Sequence, residues 1–280
     1  MSGSIIIIGA GFAGVWSALS ARRLIKIHGQ SEAFKVTVIA PQSCLIMRPR
    51  LYEANPSNMS QELGPLFEAS EAAGVLGPEL GPGPRPVITQ ALDELGIELR
   101  LGSPITAVES EGVQLASGEI IETMTTIWTA GVRATPLTQK IPGPKDKLSR
   151  LHVDRYLRAV SSERVFATGD AAYAASDSNG HYALMSCQHA LQLGRVSGYN
   201  AAADLLGVPL FEYKQESYNC CLDLGAWGAV VTSGWDRKCW YHRRDTFPHE
   251  GVSSATITSM SVIIAVVVLP IYIVGRGRSK

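Results

Sequence analysis

The sequence predicts an α/β fold that opens on a βαβ unit, and three observations carry the prediction. The aliphatic run Ile5-Ile6-Ile7-Ile8 leads straight into the glycine-rich turn Gly9-Ala10-Gly11-Phe12-Ala13-Gly14. A helical stretch follows from Val15 to about Ile27, and then a second β-rich run, Phe34-Lys35-Val36-Thr37-Val38-Ile39. Far along the chain, residues 164–170 read as another strand, ending in a Gly169-Asp170 turn ahead of a long helix. Strands alternating with helices in this way build a parallel sheet.

In chain order, Ile5–Ile8 has no polar alternation, which suits a strand buried on both faces. From Gly74 to Pro86, eight of 13 residues are Gly or Pro, so neither helix nor sheet continues through them. A short helix, Val87 to Leu95, comes next. Glu98-Leu-Arg-Leu, Ile105-Thr-Ala-Val and Val113-Gln-Leu follow, with turns at Glu111-Gly112 and Ser117-Gly118. A long strand ending Ile127-Trp128-Thr129-Ala130-Gly131 closes what reads as a β-meander. The long helix spans about Tyr182 to Leu206, and the chain keeps a globular composition to about Trp235. Residues 251–275 carry no charge over 25 positions, with a dense apolar core from Val262 to Val274. That length crosses a bilayer as a helix at ~1.5 Å per residue, although its Val and Ile content also suits a buried strand. Basic residues flank it on both sides, leaving its orientation open.

Composition narrows the classes. The chain has 280 residues, 25 Lys+Arg against 25 Asp+Glu, and 46% hydrophobic residues, which excludes disorder throughout. Zero formal charge, with no basic stripe interleaved with aromatics, predicts no nucleic-acid partner. The five cysteines, Cys44, Cys187, Cys220, Cys221 and Cys239, lack CxxC or regular spacing. They predict neither a disulfide framework nor a redox-active pair, and suit a reducing compartment. No His, Cys, Asp or Glu cluster has metal-ligand spacing, so no metal site is expected. Ile5–Ile8 has no basic residue before it, so the N-terminus does not read as a signal peptide.

The glycine pattern is informative because it follows a strand and opens a helix. In that context Gly9 makes the tight turn and Gly11 lets backbone approach a pyrophosphate. Gly14 allows close packing of helix on strand, and Ala10 lies within the same cofactor-binding loop. One feature departs from the pattern: Ala40 and Pro41 stand where the second strand should end in a ribose-binding Asp or Glu, with Glu32 and Gln42 as candidate substitutes. Asp170, at a strand end, can accept hydrogen bonds from cofactor hydroxyls, and Gly169 permits close approach. Gln188 and Gln192 are four apart and share a helix face, a pattern that an ordinary polar face satisfies equally well. His181 and His189 read as surface or core-edge histidines.

With the N-terminal fingerprint, Trp128-Thr-Ala-Gly131 and Ala167-Thr-Gly-Asp170-Ala-Ala resemble the FAD-dependent pyridine nucleotide oxidoreductases. The chain looks most similar to the type II, single-subunit NADH:quinone dehydrogenases and the apoptosis-inducing-factor-like flavoproteins. Cys187-Gln188-His189-Ala190-Leu191-Gln192 with Gly194-Arg195 resembles their AQxAxQ-G stretch, and Cys221 to Asp236 resembles the segment after it. The resemblance covers about 4–72 and 76–238, with a large internal gap near Gly74-Val75. It implies a Rossmann-like FAD domain, discontinuous over 1–73 and 150–235. Between these lie an incomplete second dinucleotide-binding domain at 74–149 and, later, the C-terminal apolar segment 251–275.

It implies that Gly9, Ala10, Gly11, Gly14 and Asp170 hold FAD, and that Gln188 and Gln192 are catalytic residues facing a quinone or other small hydrophobic acceptor. NADH or NADPH is the implied reductant. The only candidate for its phosphate loop, Gly81-Pro82-Gly83, has no strand before it, and its prolines remove backbone donors. Membrane association and a homo-oligomer are compatible with this reading. So are two alternatives: a truncated form without NADH activity acting as a membrane-tethered partner, and an FAD-dependent oxidase of specialised metabolism.

Overall fold

The computed structural model describes residues 3–9, 12–39, 82–95, 97, 101–110, 112–123, 126–127, 132–224, 227–243 and 273–274. Contacts divide the chain into two compact units, 1–57 with 132–218 and 58–131 with 219–280.

In the first unit, β1 (Gly3–Ile8), α1 (Phe12–Ile27) and β2 (Phe34–Ile39) form the expected βαβ unit. The strands pair in parallel, from Gly3 opposite Phe34 to Ile8 opposite Ile39. Burial corrects one expectation. Ile5 and Ile7 are buried, but Ile6 is 61% and Ile8 70% exposed, so β1 buries one face only. That face packs with Phe34 against Ala21, Leu24 and Ile25 of α1 and against Ala202 and Ala203 of α3 (Cys187–Leu206). Among the described residues β1 pairs only with β2, and an aliphatic run thus fills one face of a two-stranded sheet.

The segment at 164–170 is not the regular strand expected. Ala159 N–H donates to Val165 O and Ala167 N–H to Leu157 O, which makes it one arm of an irregular hairpin. The two-residue strands β7 (Leu151–His152) and β8 (Ala172–Tyr173) pair in parallel beside it. The helix α3 starts five residues later than expected. Residues before it are tied into extended pairing, with Ala183 N–H on Ala174 O and Ser176 N–H on His181 O. Ser186 then caps the helix, its Oγ accepting the His189 N–H, and Gly207 ends it in the left-handed region at φ 68°. Asn200, fully buried on α3, anchors the chain around it: its amide donates to Tyr156 O and Phe211 O, and its Oδ1 accepts the Phe211 N–H.

The second unit contains α2 (Arg85–Glu94) and the antiparallel meander β3 (Ile105–Glu109), β4 (Gly112–Leu115) and β5 (Ile120–Glu122). The long strand expected to end at Gly131 is represented by β5 and the short β6 (Thr126–Ile127); Trp128–Gly131 and Glu98–Arg100 lie outside the described residues. A second antiparallel sheet joins β9 (Asn219–Asp223), β10 (Ala229–Ser233) and β11 (Lys238–Arg243). Glu94 on α2 accepts the Trp227 indole N–H and the Gln90 amide, one on each carboxylate oxygen. Most of 251–275 lies outside the described residues. Its Ile273–Val274 form β12, paired antiparallel with β6. No described helix is long and apolar enough to cross a membrane.

Candidate dinucleotide-binding site

The site is built at the end of β1, within the first unit. Gly9 leaves the strand at φ 105°, a region closed to most side chains, and its N–H donates to Ile39 O at 2.8 Å. The chain turns back so tightly that a Cβ on Gly14, in the first turn of α1, would lie 2.0 Å from the Gly9 carbonyl oxygen. No side chain fits there. The first and third glycines of the fingerprint are thus demanded by the backbone itself; Ala10 and Gly11 lie outside the described residues.

A second glycine turn meets the first. Gly169 stands at φ 57°, and a Cβ on it would be 2.7 Å from Ala13 Cβ and 3.7 Å from Ala190 Cβ. The Gly169-Asp170 turn is therefore wedged against the first turns of both α1 and α3. Each of those helix ends presents N–H groups and the positive end of a macrodipole, an arrangement that favours anions and acceptor-rich ligands. Asp170 is half-buried in a short 3₁₀ turn covering Gly169–Ala171.

On α3, Gln188 and Gln192 are both half-buried and one turn apart, as the spacing implies. The Gln188 Oε1 and, just before Gly169, the Thr168 Oγ1 are buried atoms with no hydrogen-bond partner. Burial pushes the Cys187 thiol above its ordinary pKa, and the Asp170 charge adds to this against the helix N–H groups. The thiol is accordingly protonated at neutral pH. Cys187, Cys220 and Cys239 are thiols rather than disulfides.

What holds α3 in this position is a contact the sequence reading missed. A Cβ on Gly194 would lie 2.4 Å from Ala13 O, and one on Gly198 would lie 2.0 Å from Ser17 O. Ser17 Oγ donates to Gly194 O at 3.0 Å. The two helices touch backbone to backbone, and the signal was the four-residue spacing of two glycines inside a helix.

The readings of His189 and Glu32 change. His189 is no core-edge residue: it is fully buried, with Nδ1 2.9 Å from Ser186 Oγ and its ring edge on Tyr218. His181 is partly exposed and paired through Nδ1 with Asp177, whose carboxylate also accepts the Asn179 and His181 N–H groups. Glu32 precedes β2, and the parallel register places it beside the start of β1, about 20 Å from the glycine turn at its end. It cannot replace the missing ribose ligand. In the second unit, Gly83 is accounted for by packing, since a Cβ there would lie 2.6 Å from Arg237 O. The described residues contain no group of three or more His, Cys, Asp or Glu that could hold a metal. A surface cleft of about 250 Å³ lined by His28, Gln30, Phe34, Leu205 and Leu206 lies at the opposite end of α1.

These observations fit a flavin dinucleotide. The two glycine turns leave backbone, without side chains, beside two helix N-termini, where a long polar ligand can approach closely.

The Pyridine nucleotide-disulphide oxidoreductase family matches residues 66–194, somewhat less than half of the chain. The NADH dehydrogenase-like protein of Mycobacterium tuberculosis is 45% identical over 163 residues, covering 58% of this chain and 40% of that protein. The Type II NADH:quinone oxidoreductase of Haemophilus influenzae is 27% identical over 161 residues, 57% of this chain and 36% of that protein. The matched region thus spans about two fifths of the length of these curated relatives. The sulfide:quinone oxidoreductase of Aquifex aeolicus superposes at a TM-score of 0.45 with 12% identity, covering 85% of this chain and 52% of that one, too loosely to carry weight. With 45% identity to an NADH dehydrogenase-like protein and the family match across its middle, the chain resembles the pyridine nucleotide-disulphide oxidoreductases, with NADH dehydrogenase-like proteins among its relatives.

Proposed function

We propose that this chain binds FAD and acts as an NAD(P)H dehydrogenase-like oxidoreductase that delivers electrons to a quinone or a similar small hydrophobic acceptor. The observation that carries the reading is the paired glycine cradle, Gly9/Gly14 against Gly169, at the meeting of two helix N-termini. Bound there, FAD supplies a two-electron redox centre. The chain's residues supply the setting. The first turn of α1 holds the pyrophosphate, Asp170 accepts hydrogen bonds from the hydroxylated linker, and Gln188 and Gln192 face the acceptor from α3. His189, buried beside Gln188 and fixed by Ser186, keeps that first turn ordered.

NADH or NADPH as electron source rests on the relatives' names, since Gly83 is committed to the Arg237 carbonyl rather than to a phosphate loop. The uncharged segment 251–275 would place the acceptor site near a membrane, where lipid-soluble quinones reside.

The test is a visible spectrum of the full chain purified in detergent, repeated anaerobically with NADH and then with a short-chain quinone. Flavin bands that bleach with NADH and return with quinone are the expected result. Protein that carries no flavin and takes up none overturns the proposal. Bands that persist with NADH, and again when NADPH replaces it, overturn only the choice of reductant.

A further inference from the structure

Tyr173 and Tyr182 belong to an aromatic cluster that the dinucleotide site does not use. Tyr173 ends β8, three residues past Asp170, and Tyr182 stands five residues before α3. Between them the chain folds back on itself. Ala175 pairs antiparallel with Tyr182, Ser176 N–H donates to His181 O, and Ala183 N–H donates to Ala174 O. In that register Tyr173 and Tyr182 are diagonal neighbours on one face, close enough for aromatic side chains to meet. Their rings stack, with centroids 4.2 Å apart and planes 7° from parallel. Ring carbons of the two residues are thus in van der Waals contact. Burial raises the Tyr173 pKa and the nearby Tyr182 phenol raises it further, as befits hydroxyl ends lying side by side.

The rest of the cluster fixes Tyr173 and leaves Tyr182 open. Arg150 Cζ sits 4.8 Å from the centre of the Tyr173 ring, and the guanidinium is itself held by Asp146 at 2.7 Å and Ala183 O at 2.8 Å. His152 packs tilted on the same ring, with centroids 4.8 Å apart. Tyr182 is 39% exposed, whereas Tyr156, Tyr173 and Tyr199 are half-buried and Tyr213 and Tyr218 are buried. Of these six phenols, Tyr182 meets an oxidant from solvent first, and it carries a second phenol stacked on it.

We propose that Tyr173 and Tyr182 are an oxidative cross-linking site, at which hydrogen peroxide and a one-electron oxidant of the haem-peroxidase class join the two rings within one chain. The oxidant takes one electron from each phenol, and each phenolic proton goes to solvent. The two radicals form one carbon–carbon bond between Cε atoms, beside the hydroxyls. The two hydrogens displaced from those carbons move as protons to the oxygens and restore the phenols. The net loss of two electrons and two protons reduces one peroxide to two waters. Reaching bonding distance requires the Tyr182 ring to tip towards Tyr173, which its exposure permits. The product fastens β8 to the segment that leads into α3, and it forms whether or not FAD is bound.

The experiment treats the full chain with hydrogen peroxide and a catalytic amount of a plant haem peroxidase, then maps the peptides by mass spectrometry. Trypsin releases both tyrosines in one peptide, 165–195, because no Lys or Arg lies between Arg164 and Arg195. The expected product is a blue-fluorescent form of that peptide, lighter by two hydrogens, in which cleavage ahead of Asp177 fails to part the two tyrosines. The peptide holds a single cysteine, Cys187, so an internal disulfide cannot mimic the mass loss. The yield should stay constant over about a tenfold dilution of the protein, since the partner ring is already in place. Tyr173→Phe and Tyr182→Phe keep the ring but lack the phenol, and each should lose the product, while Tyr199→Phe retains it. Wild type that gives no such peptide overturns the proposal. So does fluorescence confined to covalent dimers, a yield that falls with dilution, or product that survives in either of the first two variants. A variant that fails to fold leaves the wild-type peptide map and its dilution series to decide.

Discussion

Substituting Gly198 by Ala tests the helix contact on which the site depends. In an exposed helix, Gly→Ala stabilises by up to ~1 kcal/mol, because alanine has less backbone freedom to lose. Here the added Cβ would sit 2.0 Å from Ser17 O, a main-chain atom that no side-chain rotation can move. To restore ordinary contact, α1 and α3 must part by roughly an ångström, which loosens the Ala21, Ala202 and Ala203 packing beneath them. Overpacking of this kind costs about 1–3 kcal/mol, and the rigid backbone partner argues for the upper half of that range. Net of propensity, we expect a loss of about 2 kcal/mol, or a melting temperature lower by roughly 4–8 °C for a chain of this size. Gly194→Ala, whose Cβ would meet Ala13 O at 2.4 Å, should behave alike. The double variant should lose less than the sum, since helices already parted accept both methyls. Thermal melting of the three variants decides it. A Gly198→Ala protein as stable as wild type, or more so, would mean that the helices are not in backbone contact, and the placement of Gln188 and Gln192 would fall with it.

Two other perturbations probe the same unit. Asn200→Ala removes an amide that satisfies Tyr156 O, Phe211 O and the Phe211 N–H together, and should cost about 2–4 kcal/mol in urea unfolding; a loss below ~1 kcal/mol would show that those groups find other partners. Burial raises the Tyr213 pKa to about 12. The fold therefore holds the neutral phenol, and this contribution is complete below the ordinary tyrosine value near pH ~10 and lost as pH rises from there towards about 12. Tyr213→Phe should flatten the alkaline fall in stability across that window, although it gives up the bond to Gln215 Oε1; identical pH slopes in the two proteins would refute the assignment.

The opening βαβ unit was legible because every local signal agreed. An aliphatic run, a glycine fingerprint and a second β-branched run each point to the same parallel pair, and β2 falls on the residues read from the sequence. Other elements were legible only in part, for identifiable reasons. The start of α3 was misjudged because Tyr182 to Ser186 have helix-compatible composition, whereas their backbone groups are taken by Ala174 and its neighbours. Composition cannot show where a hydrogen bond has already been spent. The expected strand at 164–170 failed for the converse reason. Its β-prone residues are there, but their partner is the hairpin arm around Leu157 and Ala159 rather than a central strand.

The fingerprint glycines and the α3 glycines differ in the same instructive way. Gly9 and Gly14 belong to a pattern whose meaning is local, because the turn and the helix it opens are contiguous in sequence. Gly194 and Gly198 answer to Ala13 and Ser17, some 180 positions away, and nothing near them in the chain announces it. Local geometry can thus be read from residue types, whereas packing between distant segments needs the fold. That ordering explains why the Gly9–Gly14 turn could be anticipated from fourteen residues, while the meeting of α1, α3 and the Gly169 turn emerged only from the fold.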